Sequence, residues 1–171
     1  MRENIVLIDL DLSIIKSISQ SKKINIEYLI TEADSQKLIE IKKIYKIKNI
    51  ISRAKFHEHT IKEKVEIDYN IIEQFKGSQL NSEHWQDRFS DDSNLKYFYY
   101  INAISFWINI FKKKNISAVI LDKLMHGANY DSLALDVAKY FNVAVYVIDY
   151  HMERYEDGDI IATRSVLDYS S

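Results

Sequence analysis

Some residue types that carry chemistry or shape the backbone are absent from this chain or scarce in it. It contains no cysteine, which excludes disulfide bonds and thiolate chemistry. Only three glycines are present. They form neither GxGxxG nor a P-loop motif, the glycine-rich loops that hold dinucleotides and nucleotide phosphates. This absence disfavours a nicotinamide-dependent dehydrogenase and a P-loop enzyme.

Long hydrophobic runs and an excess of one charge are also missing. No run is long enough to cross a membrane, and Asp9 and Asp11 interrupt the apolar stretch near the N-terminus, which argues against a signal peptide. We therefore expect a cytoplasmic protein. The net charge is −2 with dispersed basic residues, which argues against nucleic acid as the main partner. With 171 residues, 47% of them hydrophobic, the chain can form one globular domain with a substantial core.

The segment 116–151 has the pattern strand, turn, helix, strand. Apolar runs at 116–124 and 143–148 flank a helical pattern at 130–141. Asn129 is predicted to cap this helix at its start, and Asn142 to end it in a left-handed conformation. Nearly continuous hydrophobicity predicts strands that are buried on both faces, which is typical of a parallel sheet.

The first fifty residues repeat the alternation of strands and helices. The predicted strands are 4–10, 24–31 and 47–51, and the predicted helices are 12–22 and 35–46. We predict a three-layer α/β, Rossmann-like domain over residues 1–171, with a mostly parallel sheet of five or six strands. The apolar runs 5–10, 116–121 and 143–148 should be adjacent parallel strands at its centre.

Between these two units the pattern is less regular. Residues 53–59 read as a polar connector, residues 67–75 as a short helix broken at Gly77 and Ser78, and residues 83–88 as the start of another helix. A start signal at 91–93 precedes a long helix at 95–114, which is apolar over most of its circumference and therefore buried on several sides. A last strand is predicted at 160–166.

Polar residues follow the predicted central strands. His126 comes after the strand that begins at 116, Asp149 and His151 after the next one, and Asp9 and Asp11 close the first. In open parallel sheets, ligands bind beyond the carboxyl ends of the strands. We therefore expect these five residues to line one cleft, with His126 as a general base or hydrogen-bond donor.

Two further patterns leave alternatives open. Residues 5–13, IVLIDLDLS, resemble the aspartate motif of haloacid-dehalogenase-type phosphotransferases. That resemblance implies a magnesium-dependent phosphohydrolase in which Asp9 attacks phosphorus and Asp11 acts as acid and base; the other interpretation is a polar strand end that caps the first helix. His57 and His59, around Glu58, have the spacing of two metal ligands on a strand. No third ligand is evident nearby, so we predict a solvated loop.

Residues 85–166 resemble the N-terminal half of bacterial capsule and surface-polysaccharide glycosyltransferases of the two-domain GT-B type. The matching features are Arg88 before a long aromatic-rich helix, the histidine turn in LDKLMHGANYDSLALDVAKYFNV, the strand VAVYVIDYH and the later strand IIATRSV. Met125 precedes the histidine, where the family often has proline.

The resemblance implies that this chain is the acceptor-binding N-terminal half of such an enzyme. A second domain, beyond these residues, would hold the nucleotide-sugar donor, so we expect the 171 residues to fold and to bind the acceptor without transferring sugar. It implies a base at His126, or else at Asp9 or Asp11, and no cofactor or metal. The expected substrate contacts are Arg88, Asn129, Asp149 and His151. Peripheral association with the inner membrane is compatible with this assignment. A non-catalytic Rossmann-like binding module is the remaining alternative.

Overall fold

The computed structural model describes residues 2–32, 35–63, 66–122, 128–154 and 160–168, with the backbone alone at 35, 149–154 and 160–166. The strands are β1 (Glu3–Ile8), β2 (Ile24–Thr31), β3 (Asn49–Ser52), β4 (Ile116–Leu121), β5 (Ala144–Arg154) and β6 (Ile160–Asp168). The helices are α1 (Leu12–Ser19), α2 (Ser35–Tyr45), α3 (Phe56–Lys62), α4 (Tyr69–Ile72), α5 (Lys76–Gln86), α6 (Ser93–Lys114) and α7 (Ser132–Tyr140). Short 3₁₀ turns occupy Arg53–Lys55 and Glu73–Phe75.

The strands form one six-stranded sheet in the order β3-β2-β1-β4-β5-β6. The first five are parallel, and β6 runs antiparallel to β5. This arrangement confirms the predicted Rossmann-like α/β fold and the parallel packing of β1, β4 and β5 against one another at the centre. The prediction for β5 is wrong on its outer side, where its neighbour β6 is antiparallel. The strand order reverses between β1 and β4, the position at which open sheets of this type bind ligands.

The two faces of the sheet carry different cores. Helices α1 and α2 cover the aliphatic face, whose buried side chains are mainly isoleucine and leucine; they include Ile5, Leu7, Ile15, Leu29, Ile41 and Ile47. Helices α3 to α7 cover the aromatic face, whose buried rings include Tyr28, Phe56, Phe75, Tyr100, Phe106, Trp107 and Phe111. Both surfaces of the central strands are therefore removed from water, which explains their lack of polar alternation.

Helix α6 organises the aromatic face. Asp92 caps its start by accepting hydrogen bonds from the backbone amides of Asn94 and Leu95, and Asn115 ends it in a left-handed conformation with φ of 48°. The predicted start signal at 91–93 is confirmed. Two buried polar atoms anchor the helix, because Tyr100 donates to the carbonyl of Phe75 at 3.1 Å and Trp107 Nε1 donates to the carbonyl of Asn129 at 2.9 Å. None of the described helices has the length and hydropathy that a membrane span requires.

Several predicted boundaries are corrected between β3 and α6. Residues 53–62 form a 3₁₀ turn and α3 rather than a connector, because Phe56 and Thr60 are buried against α6. Gly77 and Ser78 do not break a helix but lie near the start of α5. Residues 83–86 end that helix rather than begin one.

The β4–α7–β5 unit also departs from expectation. Asn129 does not cap α7, which begins at Ser132 with Asp131 as its cap. Asn142 adopts the predicted left-handed conformation, with φ of 54°. Asp149 and His151 do not follow a strand, because β5 continues to Arg154 by pairing with β6; His151 is opposite Thr163. The added antiparallel partner supplies backbone hydrogen bonds beyond the point where the pairing of β5 with β4 ends, at Val147.

Candidate ligand site at the carboxyl edge

We call the edge of the sheet at which the parallel strands end its carboxyl edge. There the ends of β1 and β4 place two aspartates, Asp9 and Asp122, side by side at the point where the strand order reverses. The Asp9 amide donates to the carbonyl of Ile30 at 2.8 Å, and the Asp122 amide donates to the carbonyl of Ile8 at 3.3 Å. Asp9 has φ of 54°, a left-handed conformation that is uncommon for a residue other than glycine. Such backbone positions concentrate at functional turns, and this one turns the chain from β1 toward α1.

A polar cleft of about 290 Å³ opens at this edge. Its charged lining residues are Asp9, Asp11, Glu32, Lys37, Arg53 and Asp122, with Thr31 at the end of β2. Among the described residues that line it, four carboxylates face two basic groups, which leaves an excess of negative charge. The cleft therefore favours neutral, hydroxyl-rich or cationic ligands over free phosphates.

Arg53 stands at the centre of the site. It is the first residue after β3, and its Nη1 lies 3.1 Å from Asp9 Oδ2 while Nη2 donates to Glu32. Its guanidinium carbon lies 5.7 Å from the centre of the Tyr130 ring. Burial alone would lower the pKa of Arg53, but Asp9, Tyr130 and Glu32 together raise that pKa above its usual value. The side chain is thus a fixed cation that orients two carboxylates.

Sequence reasoning did not single out Arg53. A signal was available, because the residue directly follows the third parallel strand and therefore lies at the same sheet edge as Asp9. That signal was missed because residues 53–59 were predicted to be a polar connector. The position becomes informative only when β3 is placed next to β2.

On the other side of Arg53 lies a ring-lined groove of about 640 Å³. It shares Glu32 and Arg53 with the polar cleft, and its rings come from Phe56, His57, Trp85, Phe89, Tyr99 and Tyr130. His57 stacks on Tyr99 with ring centres 4.5 Å apart and planes 28° apart. Phe89, which is 72% exposed, contacts Trp85 with ring centres 5.0 Å apart. Ser90 and the buried Gln86 add polar groups to the wall.

Two rings of the groove, His57 and Tyr130, are uncharged at neutral pH. Burial lowers the pKa of His57 to about 4, so its imidazole is neutral. Burial, with a smaller effect of Asp131, raises the pKa of Tyr130 to about 12, although Arg53 opposes that rise. The groove therefore presents neutral π-faces beside the charges of the polar cleft.

The structure brings some predicted site residues together and separates others. Asp9 and Asp11 line the polar cleft, as expected for residues that follow β1. His126 lies outside the described residues, and so do the side chains of Asp149 and His151, whose backbones are part of β5. Whether those three face the cleft stays a prediction.

The other two predicted contacts are not at the cleft. Arg88 is exposed in the turn after α5 and is not among the residues lining the polar cleft or the ring-lined groove. Asn129 is 1% exposed and belongs to the core, where its side chain accepts from Ser82 and its carbonyl accepts from Trp107. Its place next to a predicted helix start gave no indication of this burial.

The paired histidines belong to helix α3 rather than to a strand or a solvated loop. Residues two apart on a helix point to different sides. Accordingly His57 faces Tyr99, whereas His59 lies 3.3 Å from Glu63. Within the described residues, no three histidine, aspartate or glutamate side chains are grouped so that they could hold a metal ion.

No family model, curated protein or solved structure matches this chain. The chain has a Rossmann-like architecture, and that architecture hosts many unrelated functions. The evidence for function is therefore the arrangement of residues at the carboxyl edge.

Proposed function

We propose that this chain binds the saccharide acceptor of a surface-polysaccharide glycosyltransferase, and that a separate domain holds the nucleotide-sugar donor. The observation that carries the proposal is the Asp9–Arg53 pair, set in an acidic cleft that continues into a groove of neutral rings. Carboxylates accept hydrogen bonds from sugar hydroxyls, and aromatic rings cover the apolar faces of sugars. Ligand sites of this kind combine an apolar wall with a few placed polar groups.

In the proposed reaction an acceptor hydroxyl attacks the anomeric carbon of the donor. The new oxygen–carbon bond forms as the nucleotide leaves, and a base takes the hydroxyl proton. Asp9 is held by Arg53, which makes the carboxylate a well-oriented acceptor for that hydroxyl. We therefore assign Asp9 to positioning and retain His126, four residues beyond Asp122 in the chain, as the proposed base.

Replacing Asp9 with asparagine tests the proposal. Asparagine keeps the size of the side chain and tolerates a positive φ, so a loss reports the missing charge rather than a distorted turn. Hydrogen bonds to charged groups contribute about 1.5–3 kcal/mol. Calorimetry with a panel of neutral sugars and their oligosaccharides should therefore show binding about 10- to 100-fold weaker for the variant.

The matched control is Glu3→Gln, an exposed acid at the opposite end of the same strand. It should bind like the unaltered chain. Equal binding by Asp9→Asn, or no binding of any saccharide by the unaltered chain, would contradict the proposal.

A second candidate is the magnesium-dependent phosphohydrolase. The observation in its favour is that Asp9, Asp11, Thr31 and Asp122 meet at the ends of three neighbouring strands. Against it, Arg53 already pairs with Asp9, and no three acidic or histidine side chains among the described residues are arranged so that they could hold a metal ion. Magnesium-dependent release of phosphate from p-nitrophenyl phosphate, lost in Asp9→Asn, would favour this candidate. Saccharide binding without turnover would fit either the acceptor-binding half or a non-catalytic binding module.

A further inference from the structure

We propose that the ring-lined groove holds a second, neutral sugar unit of the same acceptor, so that the chain recognises an oligosaccharide rather than a single sugar. This inference rests on the proposed function, because it extends the ligand that the polar cleft would bind. It names both the length of that ligand and its charge.

The two recesses are continuous with each other. The polar cleft and the ring-lined groove meet at Glu32 and Arg53, which line both. Arg53 contacts Asp9 on one side and lies over the Tyr130 ring on the other. A ligand whose first unit contacts Asp9 therefore has its next unit beside Arg53, at the entrance of the groove.

The second argument is the chemistry of the groove wall. Trp85, Phe89 and Tyr99 offer ring faces that suit the C–H face of a pyranose. Glu32 and Ser90 at the same wall offer partners for its hydroxyl edge. A purely apolar occupant would cover the groove side of the Arg53 guanidinium, which is 25% exposed, without offering it a hydrogen-bond partner, which is costly.

The third argument is charge. The carboxylates at the polar cleft outnumber the basic groups, and both basic groups lie among them. Arg53 is already paired with two carboxylates. A uronic acid or phosphorylated unit would add a negative charge next to Glu32, and among the described residues that line the groove Arg53 is the only lysine or arginine. The unit in the groove is therefore neutral.

Tryptophan fluorescence can test the inference directly. The chain has two tryptophans: Trp85 lines the groove, whereas Trp107 is fully buried in the core. We would titrate the chain with glucose and N-acetylglucosamine, then with their β-1,4-linked di- and tetrasaccharides. The disaccharides should bind about 3- to 10-fold more tightly than the monosaccharides, as one stacked ring contributes. They should also change the emission of Trp85, and Trp85→Phe should lose that change.

Phe89→Ala supplies the decisive variant, with Leu80→Ala as its control. Both side chains are largely exposed, at 72% and 68%, so neither substitution threatens the fold. Only Phe89 lines the groove. Phe89→Ala should reduce disaccharide affinity to that of the monosaccharide, whereas Leu80→Ala should leave the difference intact.

The outcomes separate the two proposals. If no saccharide binds, the proposed function fails and the inference fails with it. If monosaccharides and disaccharides bind equally and Phe89→Ala changes nothing, the inference alone is overturned. A disaccharide that carries a glucuronic acid should bind more weakly than its neutral counterpart, and equal or tighter binding would overturn the assignment of a neutral unit.

Discussion

The aliphatic and aromatic faces of the sheet differ in how they are built. Helices α1 and α2 follow their strands directly and bury a single type of side chain, the branched aliphatic one. The aromatic face is covered by five helices, three of which lie in the long segment between β3 and α6. The aliphatic face provides a regular scaffold, whereas the aromatic face brings distant parts of the chain to the carboxyl edge.

The comparison also explains why two recesses meet at Arg53. The polar cleft opens at the edge of the aliphatic face, beside Asp11 and Lys37. The ring-lined groove opens at the edge of the aromatic face and shares Phe56 with the core, where that ring contacts Phe106 and Trp107 with ring centres 5.6 and 5.9 Å away. The groove is thus an outward continuation of the aromatic core.

The largest expected effect comes from Phe106→Ala. This ring is fully buried, and it contacts Tyr28 and Phe56 edge-on with ring centres 5.8 and 5.6 Å away. Its removal leaves a cavity, which should lower the free energy of unfolding by about 3–5 kcal/mol. On the aliphatic face, Ile15→Val removes one buried methylene and should cost about 0.5–1.5 kcal/mol. Urea denaturation followed by circular dichroism measures both free energies of unfolding. A smaller loss of stability for Phe106→Ala than for Ile15→Val would contradict the expected difference between the two faces.

A smaller effect concerns pH at the edge of the aromatic face. Because the folded pKa of His57 is about 4 and its ordinary value is about 6.5, the unfolded chain binds a proton between those values that the folded chain does not. The contribution of this group to stability is therefore full above pH 6.5 and is lost as the pH falls toward 4, by about 2–3 kcal/mol.

His57→Phe keeps a ring against Tyr99 but cannot titrate. The stability of this variant should fall less between pH 6.5 and 4 than that of the unaltered chain, in matched urea titrations. His84→Gln, which removes an imidazole that is 91% exposed, is the control that shows how much of the change comes from replacing any histidine. Parallel profiles for His57→Phe and the unaltered chain would contradict the burial of His57.

The smallest expected effect is a gain in stability at Gly77. A methyl group added there would meet no atom within 4 Å, and α5 would lose less backbone entropy on folding. Gly77→Ala should raise the free energy of unfolding by about 0.4–1 kcal/mol. Its neighbour Ser78 donates to Asp136 at 2.6 Å, so Ser78→Ala should change stability in the opposite direction, by about 0.5–1.5 kcal/mol. A destabilising Gly77→Ala would show that the helix does not run through this residue.

Prediction from the sequence was most accurate for the elements whose bounds follow from hydrophobic periodicity and chain order. Strand β2 was predicted at its observed bounds, and helices α1, α2 and α6 begin within two residues of their predicted starts. Strand β2 and helices α1 and α2 belong to the strict alternation of strands and helices in the first fifty residues, so their buried faces follow from spacing. Asp9 and Asp11 could be placed at the carboxyl edge for the same reason.

The remainder depends on tertiary partners that spacing does not reveal. Asn129 looked like a helix cap, but Ser82 and Trp107 draw it into the core from elements distant in the chain. His151 looked like a residue beyond a strand, but pairing with β6 extends β5 through it. The groove joins rings from α3, α5 and α6 with Tyr130, so no local sequence pattern predicts it.

Mapping the backbone amides that respond to an oligosaccharide tests the central claim most directly. In heteronuclear NMR spectra of the isotope-labelled chain, a neutral β-1,4-linked disaccharide should shift the amides of Asp9, Arg53 and Tyr99 together. The amides of Ser19, Lys22 and Lys46, which line a recess made by the opposite ends of the helices and strands, should not move. Shifts confined to that opposite recess, or an absence of shifts at Asp9 and Arg53, would contradict saccharide binding at the carboxyl edge.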